Sequence, residues 1–327
     1  MLNGNKKYIL ILLMSVGIFS CKKKDDETTT LQGTWYEKSN FEGVARSNAA
    51  TFTVGSKAYL GTGFDGTSRL NDFWEYDPAT NFWQQKADFP GAARNEAVGF
   101  SIDGLGYMGT GYNGTTMYKD FYSYNPTNNT WSSIADLAST ARYGAVAFSL
   151  NDEGYVSCGF DGNYKKDVWK YSATNNTWTQ VVSIGGDKRS DAVAFVIGNK
   201  AYIGSGNNNG TYVNDFWEYD PSTGVWTSKE ALAPDRNGDG KVELDARRSG
   251  GVAFVIDNKG YISSGTYGGV QTSTFQYDPV TNSWAQVTGF AGSARMDAVG
   301  FTVNNRGFVV TGRNGNSRYD DIWEFVY

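Results

Sequence analysis

The chain of 327 residues has no histidine. That absence removes the commonest general base, the commonest nitrogen ligand for zinc or copper, and every Ser-His or Cys-His nucleophile pair. Any chemistry must run on Arg, Lys, Asp, Glu, Tyr or Ser. Proline is scarce, at 6 residues, and cysteine occurs only at Cys21 and Cys158. Basic charge is not in excess either. Lys and Arg number 29 against 34 Asp and Glu, a net charge of −5, so no nucleic-acid partner is expected. What is plentiful is glycine, at 40, with 21 Tyr, 19 Phe and 10 Trp. Aromatics and glycine with little proline point to many strands joined by tight turns.

Lys6 and Lys7 precede an apolar run from Tyr8 to Ser20. It is too short to span a bilayer but has the length of a signal-peptide core. The run ends Ile18-Phe19-Ser20-Cys21, which resembles a bacterial lipobox. That resemblance implies a lipoprotein signal peptide over 1–20, with cleavage before Cys21 and lipid attached there. An ordinary secretory signal that contains a cysteine is the alternative. Residues 21–32 are polar, charged and without an apolar face, so they read as a flexible tether. The lysine-then-acidic run after Cys21 resembles the surface-export signal of some Gram-negative lipoproteins, and equally reads as a solvated spacer. The expectation is an exported lipoprotein held at the outer membrane through Cys21, facing the periplasm or the cell surface. With Cys21 acylated, Cys158 would have no intrachain disulfide partner.

From residue 33 onward the chain repeats itself. An arginine recurs at Arg46, Arg94, Arg142, Arg189, Arg248 and Arg295. Six residues after each stands a phenylalanine, Phe52 to Phe301, and thirteen after each an aromatic, Tyr59 to Phe308. A glycine, a second aromatic and, in five units, a tryptophan follow at regular offsets. Each unit holds four strand-length apolar runs, as in "AVAFVI", "AYIGS", "DFWEY" and "VWTSK", separated by turn chemistry such as "DPSTG". Such a four-stranded meander cannot bury its own faces and must stack on its neighbours.

The leading Arg, the Tyr before a glycine-ending strand, the Tyr-Asp-Pro turn and the spaced Trp resemble the kelch repeat. The usual Gly-Gly pair is loosened here to "GTG", "SCG", "GSG", "SSG" and "VTG". The resemblance implies an all-β, six-bladed propeller over 33–327, built of four-stranded antiparallel blades. Trp35 precedes Arg46 by the 11 residues that separate Trp83 from Arg94, and the sixth unit ends before its tryptophan. The N-terminal strand is therefore expected to complete the last blade, leaving no long open edge.

In a kelch unit the first strand lines the central channel, so the six arginines are expected to ring one mouth. The kelch domains of ubiquitin-ligase adaptors bind acidic peptides through arginines at this position. That likeness implies an anionic ligand: a small molecule, an acidic glycan, a peptide or a protein. The alternative is that each arginine is a structural residue bonded to neighbouring backbone carbonyls. Two residues after the arginines stand Glu96, Asp191 and Asp297, in alternate units. The aromatic loop tips Phe64, Tyr112, Phe160 and Tyr267 could stack on sugars or serve packing. The aspartates at 72, 120, 167, 215 and 321 read as turn caps.

The fourth unit carries an insertion with "DRNGDGKVELD" at 235–245. Asp235, Asn237, Asp239 and Gly240 match the first half of a calcium loop, with Glu243 at its ninth position and Asp245 one residue short of the twelfth. Calcium is the one cofactor the sequence suggests, with a solvated turn as the alternative. Two functions stay open. One is a binding or scaffold propeller for an anionic ligand. The other rests on likeness to the periplasmic sialic-acid mutarotase (N-acetylneuraminate epimerase) family in blade count and export alone. Glu96, Asp191 and Asp297 would be its acid–base candidates. The copper chemistry of galactose oxidase, which shares kelch-type blades, needs histidines and is excluded.

Overall fold

The computed structural model describes Met1, Gly4 and residues 31–327 except 236, 239 and 243. The signal peptide, Cys21, most of the tether, Asp239 and Glu243 lie outside the described residues. Residues 31–327 form six four-stranded antiparallel sheets arranged as a propeller. Blade one comprises Ala50–Val54, Lys57–Gly61, Phe73–Asp77 and Phe82–Gln85. Blades two to five repeat this order, with innermost strands Val98–Ile102, Tyr143–Leu150, Val193–Ile197 and Val252–Ile256. Blade six takes Val299–Val303, Arg306–Val310 and Ile322–Val326 from the C-terminal end. Its fourth strand is Thr34–Glu37, paired as Trp35 with Phe325 and Glu37 with Trp323.

Turn chemistry explains the meander. The first two strands of each blade join through tight turns with left-handed residues, such as Asp103 (φ 49°) and Gly104 (φ 76°), or Asn304 (φ 51°) and Asn305 (φ 60°). Two positive-φ residues match the right-handed twist of the flanking strands. In blades one, two, three and five the last two strands join through a turn ending at a left-handed asparagine, as at Asn81 (φ 54°), and in blade four Gly224 (φ 68°) takes that place. The Asn81 Oδ1 accepts from the Tyr76 hydroxyl at 2.9 Å, and the same pair recurs at Tyr124–Asn129, Tyr171–Asn176 and Tyr277–Asn282. Each of these Oδ1 atoms also accepts a backbone N–H from the blade before, as from Ala87 to Asn129 at 2.9 Å. The repeated Tyr and Asn thus build the turn and the outer seam between blades.

Among the described residues there are six hydrophobic cores, each between two neighbouring blades. Blades one and two share Phe52, Tyr59, Phe73, Met108 and Tyr124. Blades six and one share Phe301, Phe308, Tyr76 and Trp83. No blade owns a complete core, so a blade is stable only within the stack. At the closure, Trp35 is 7% exposed. It packs on Phe325 and Phe290 at 4.8 and 5.0 Å, and its Nε1 donates to the Thr288 carbonyl at 3.1 Å.

Candidate functional site at the channel mouth

The six repeat arginines do not ring the mouth. Each is buried, at 0–1% exposure. The expectation that they bind an anionic ligand is corrected, because every guanidinium is consumed inside its own blade. Arg94 shows the pattern. Its Nε donates to the Ala92 carbonyl at 2.8 Å, and its Nη1 donates to the Thr110 carbonyl at 2.9 Å. Both terminal nitrogens then grip the carboxylate of Asp120 at 2.5 and 2.9 Å. Arg46 with Asp72, Arg142 with Asp167 and Arg295 with Asp321 repeat that bidentate geometry, and Arg189 pairs with Asp215. The aspartates are counterions rather than simple turn caps, and Trp74, Trp169 and Trp323 also donate to them at 2.7 Å. In the fifth blade Ser273 stands in for the acid, and among the described residues the Arg248 guanidinium donates to the carbonyls of Ala246, Ser264 and Ser273 and to the Ser273 hydroxyl.

The carbonyls that accept from Nη1 sixteen residues on belong to Thr62, Thr110, Cys158, Ser205, Ser264 and Thr311. All six are left-handed, with φ between 57° and 64°. For β-branched threonine this conformation is strained. The guanidinium holds the peptide that carries the strain. The next residue is always glycine, Gly63 to Gly312. Its N–H donates to the carbonyl of the next blade's arginine at 2.7–2.8 Å, and Gly312 closes the circle onto Arg46. Space at this point is tight: a Cβ on Gly206 would lie 2.5 Å from the Ser190 carbonyl oxygen.

Two residues beyond the arginines the chain reaches the axis. Asn48, Glu96, Gly144, Asp191, Gly250 and Asp297 are all left-handed, with φ of 53–60°. Five backbone bonds of 2.8–3.1 Å run from one to the next around the axis, from Asn48 to Asp297, Glu96 to Asn48, Asp191 to Gly144, Gly250 to Asp191 and Asp297 to Gly250. The structure thus brings the three predicted acids together, one on every second blade. The glycines make room for them. A Cβ at Gly144 would meet Asp191 Oδ1 at 2.8 Å, and one at Gly250 would meet Asp297 Oδ1 at 2.3 Å.

Burial and mutual repulsion shift these groups. Burial, then Asp191 and Asp297, hold Glu96 well above the usual carboxylate range. Burial followed by Asp297 pushes Asp191 up to about 6. Burial also raises Asp297, opposed by Arg313, whose Nε donates to Asp297 Oδ2 at 2.7 Å. Ser190 donates to Asp191 at 2.8 Å, and Asn95 to Glu96 at 3.0 Å. Among the described residues no three acids stand close enough to hold a metal ion. The cavity at this ring is about 120 Å³. That is well under the ~300 Å³ at which pockets begin to engulf small ligands. Beyond it the channel continues between the innermost strands as a cavity of about 200 Å³ that shares Ala49, Ala97, Ala145, Ala192, Gly251 and Ala298 with the ring.

The rim is where the loop tips gather. Arg318 of blade six lies over the Phe64 ring at 5.1 Å, and Arg69 of blade one lies over the same ring at 4.5 Å and over Tyr112 at 5.9 Å. Tyr112 then meets Tyr143 at 5.2 Å, Tyr143 meets Phe160 at 5.6 Å, and Phe160 meets Tyr164 at 5.0 Å. One side of the mouth is therefore a continuous wall of guanidiniums and aromatic rings over blades six, one, two and three. On blades four and five Tyr212 packs on Tyr267, which lies under Arg247. Sequence reasoning overlooked Arg69, Arg313, Arg318 and Tyr143. The signal was there: Arg313 and Tyr143 each differ from every other unit at their positions, and Arg69 and Arg318 share one that the other units do not fill with arginine. Tyr143 stands where the other units carry Ser47, Asn95, Ser190, Ser249 and Met296.

In the insertion, Gly240 N–H donates to Asp235 Oδ2 at 2.9 Å. Asp245 is withdrawn from the calcium set, because Arg247 occupies both its oxygens at 2.9 and 2.6 Å. Asp235, Asn237, Asp239 and Glu243 remain as donors of the kind calcium takes, all oxygen.

The Kelch motif model matches residues 45–90, and the KLHDC2/KLHL20/DRC7 Kelch-repeats domain model matches residues 136–288. No curated protein matches the chain. Among solved structures, one described as "Structure of YjhT" superposes with a TM-score of 0.72 at 18% identity, over 86% of this chain and 95% of that one. At that identity the likeness is one of fold. Six blades, each led by a buried arginine and closed by the repeated Trp beside Tyr or, in blade six, Phe325, carry the same signature: the chain is a six-bladed kelch-repeat β-propeller.

Proposed function

We propose that this propeller is a binding module, exported and lipid-anchored at Cys21, whose ligand is anionic and rests on the channel-mouth rim. Acidic glycans, peptides and proteins all belong to that class. The observation that carries the reading is the wall from Arg318 through Phe64, Arg69, Tyr112 and Tyr143 to Phe160. Rings offer rigid apolar faces at low entropic cost, and guanidiniums offer forked donors for oxyanions. The rim arginines take over the role that the repeat arginines, being buried, cannot play. Titration calorimetry with a panel of acidic sugars and acidic peptides tests this. No heat from any member, at concentrations up to the millimolar range, overturns it.

A cofactor-free sugar isomerase is the second reading, favoured by the raised carboxyls of the axial ring. A group near 6, as at Asp191, can both take and give a proton around neutrality, which anomer exchange requires. Glu96, Asp191 and Asp297 would share that role. Proton NMR of anomer exchange for N-acetylneuraminate and simple uronic acids decides it. Exchange at the rate without protein removes the enzyme reading and leaves the binding one.

A further inference from the structure

We infer that Arg69 and Arg318 form a two-pronged carboxylate clamp around Phe64, and that the mouth takes a cyclic acid lying with its ring on the Tyr112–Tyr143–Phe160 wall. This inference deepens the binding reading above and rests on it. Four observations carry it.

First, the two arginines occupy the same place in their repeats, six residues after Gly63 and Gly312. Each reaches across to the next blade's loop. Arg318 lies against Gly66 and Arg69 against Gly114, where added Cβ atoms would approach to 3.2 and 2.9 Å. The equivalent position in blade two is Met117, so the cationic stretch ends there.

Second, neither guanidinium is held in an ion pair, although Arg69 acts through space on Glu96 and Arg318 on Asp297 and Asp65. Among the described residues no carboxylate lies within ion-pair distance of Arg69 or Arg318, whereas Arg313 beside them is paired with Asp297. Arg69 donates to the Asn95 amide oxygen at 3.2 Å and Arg318 to the Asn316 carbonyl at 2.8 Å, and the buried Arg318 Nε has no acceptor.

Third, the local pairing breaks a rule. Arg313 and Arg318 stand directly opposite each other in the Arg313–Asn314 and Ser317–Arg318 hairpin. Like charges at opposed positions destabilise a strand pair, so a sequence that keeps them there is not optimising the hairpin.

Fourth, the cationic and aromatic halves meet at Arg69, which touches both Phe64 and Tyr112. A ligand with its carboxylate on the arginines and its ring on the wall spans that join. Both arginines and the aromatic wall stand on the rim, so a ligand held there is a free cyclic acid or the terminal residue of a chain. A uronic acid fits this description.

The test compares a uronic acid with its methyl ester, which removes the charge and keeps the ring. Calorimetry on the full propeller should show the acid binding at least about tenfold more tightly. Arg69→Gln and Arg318→Gln should each bring that ratio towards one, whatever they do to ester affinity. Tyr143→Ala should weaken acid and ester alike. An acid-to-ester ratio unchanged in both arginine variants overturns the clamp and leaves the binding module standing. A wild-type protein that binds neither compound, nor any other cyclic acid of the panel, overturns the mouth reading and the clamp together. Circular dichroism melts on each variant separate a lost site from a lost fold.

Discussion

The N–H of Gly312 donates to the carbonyl of Arg46 at 2.8 Å, so the last blade is tied to the first by the same bond that ties every other neighbouring pair. The circle is completed twice. It closes on the inside through this contact and on the outside through Thr34–Glu37 on Ile322–Val326.

The outer closure is open to a direct experiment. Deleting 33–40 removes the Trp35 ring from Phe254, Phe290 and Phe325 and exposes the edge of blade six. Burying a tryptophan and making several strand hydrogen bonds contributes on the order of 5 kcal/mol. A fall of 10 °C or more in melting temperature is expected. Trp35→Ala should give about half the loss, and an unchanged melt would show that the strand does not hold the ring.

The buried arginines should act on stability and not on binding. Arg94→Ala strands the Asp120 carboxylate and removes the donor to the left-handed Thr110 peptide. Removing one partner of a buried pair costs about 3–5 kcal/mol. Urea unfolding should report that loss, while ligand affinity of the folded fraction stays within twofold. A selective loss of affinity without a change in the unfolding midpoint would return the repeat arginines to the ligand site.

Arg248 is the exception that suggests a gain. Burial without a facing carboxylate pushes its guanidinium down to about 9. Ser273→Asp restores the acid that the other five blades carry at this point. It should stabilise the protein by about 1–3 kcal/mol at pH 7, read as a higher urea midpoint. A lower midpoint would mean that the fifth loop cannot seat the carboxylate as its five counterparts do.

Asp191 gives a pH dependence of defined sign. Its folded pKa of about 6 stands above the ordinary 3.8, so the folded state binds the extra proton between those values. Stability from this group is full below pH ~4 and is lost as the pH rises through 6. Asp191→Asn should abolish that loss, making the variant more stable than wild type at pH 7 by on the order of 2 kcal/mol and indistinguishable from it near pH 4. Asp297, Glu96, Ser190 and Arg313 share its surroundings, so the comparison is made as a difference between variant and parent across pH. A difference that does not vary with pH would show that Asp191 ionises normally.

Calcium at 235–243 is our proposal for the insertion. Millimolar calcium should raise the melting temperature by a few degrees, and Asp235→Asn should remove the effect while leaving the calcium-free melt unchanged. No shift at 10-fold excess over millimolar binding would make the segment a plain turn.

The architecture could be read from the chain because its physics repeats. Phe52, Tyr59, Gly63, Tyr76 and Trp83 recur at fixed offsets, since every interblade core must be filled in the same way. The donated strand was visible in the spacing of Trp35 to Arg46. The arginines misled because a head-of-strand position was equated with a channel-facing side chain. Their presence in all six units, with an aspartate 25 or 26 residues later in five, pointed to a shared structural duty. The rim was hidden for the opposite reason. Tyr143, Arg69 and Arg318 are what the repeat does not dictate, and a search for regularity passes over them.

Ribosomes make a chain in one direction, and this ring pays heed to that order. Thr34–Glu37 is synthesised before blades one to five and its neighbour Ile322–Val326 after them, so the two cannot meet until all the intervening blades exist. Blades one to five can begin to stack beforehand, but the sixth must wait with an uncovered flank. Any factor that shields Trp35 during that interval would govern how much of the protein matures and how much clumps.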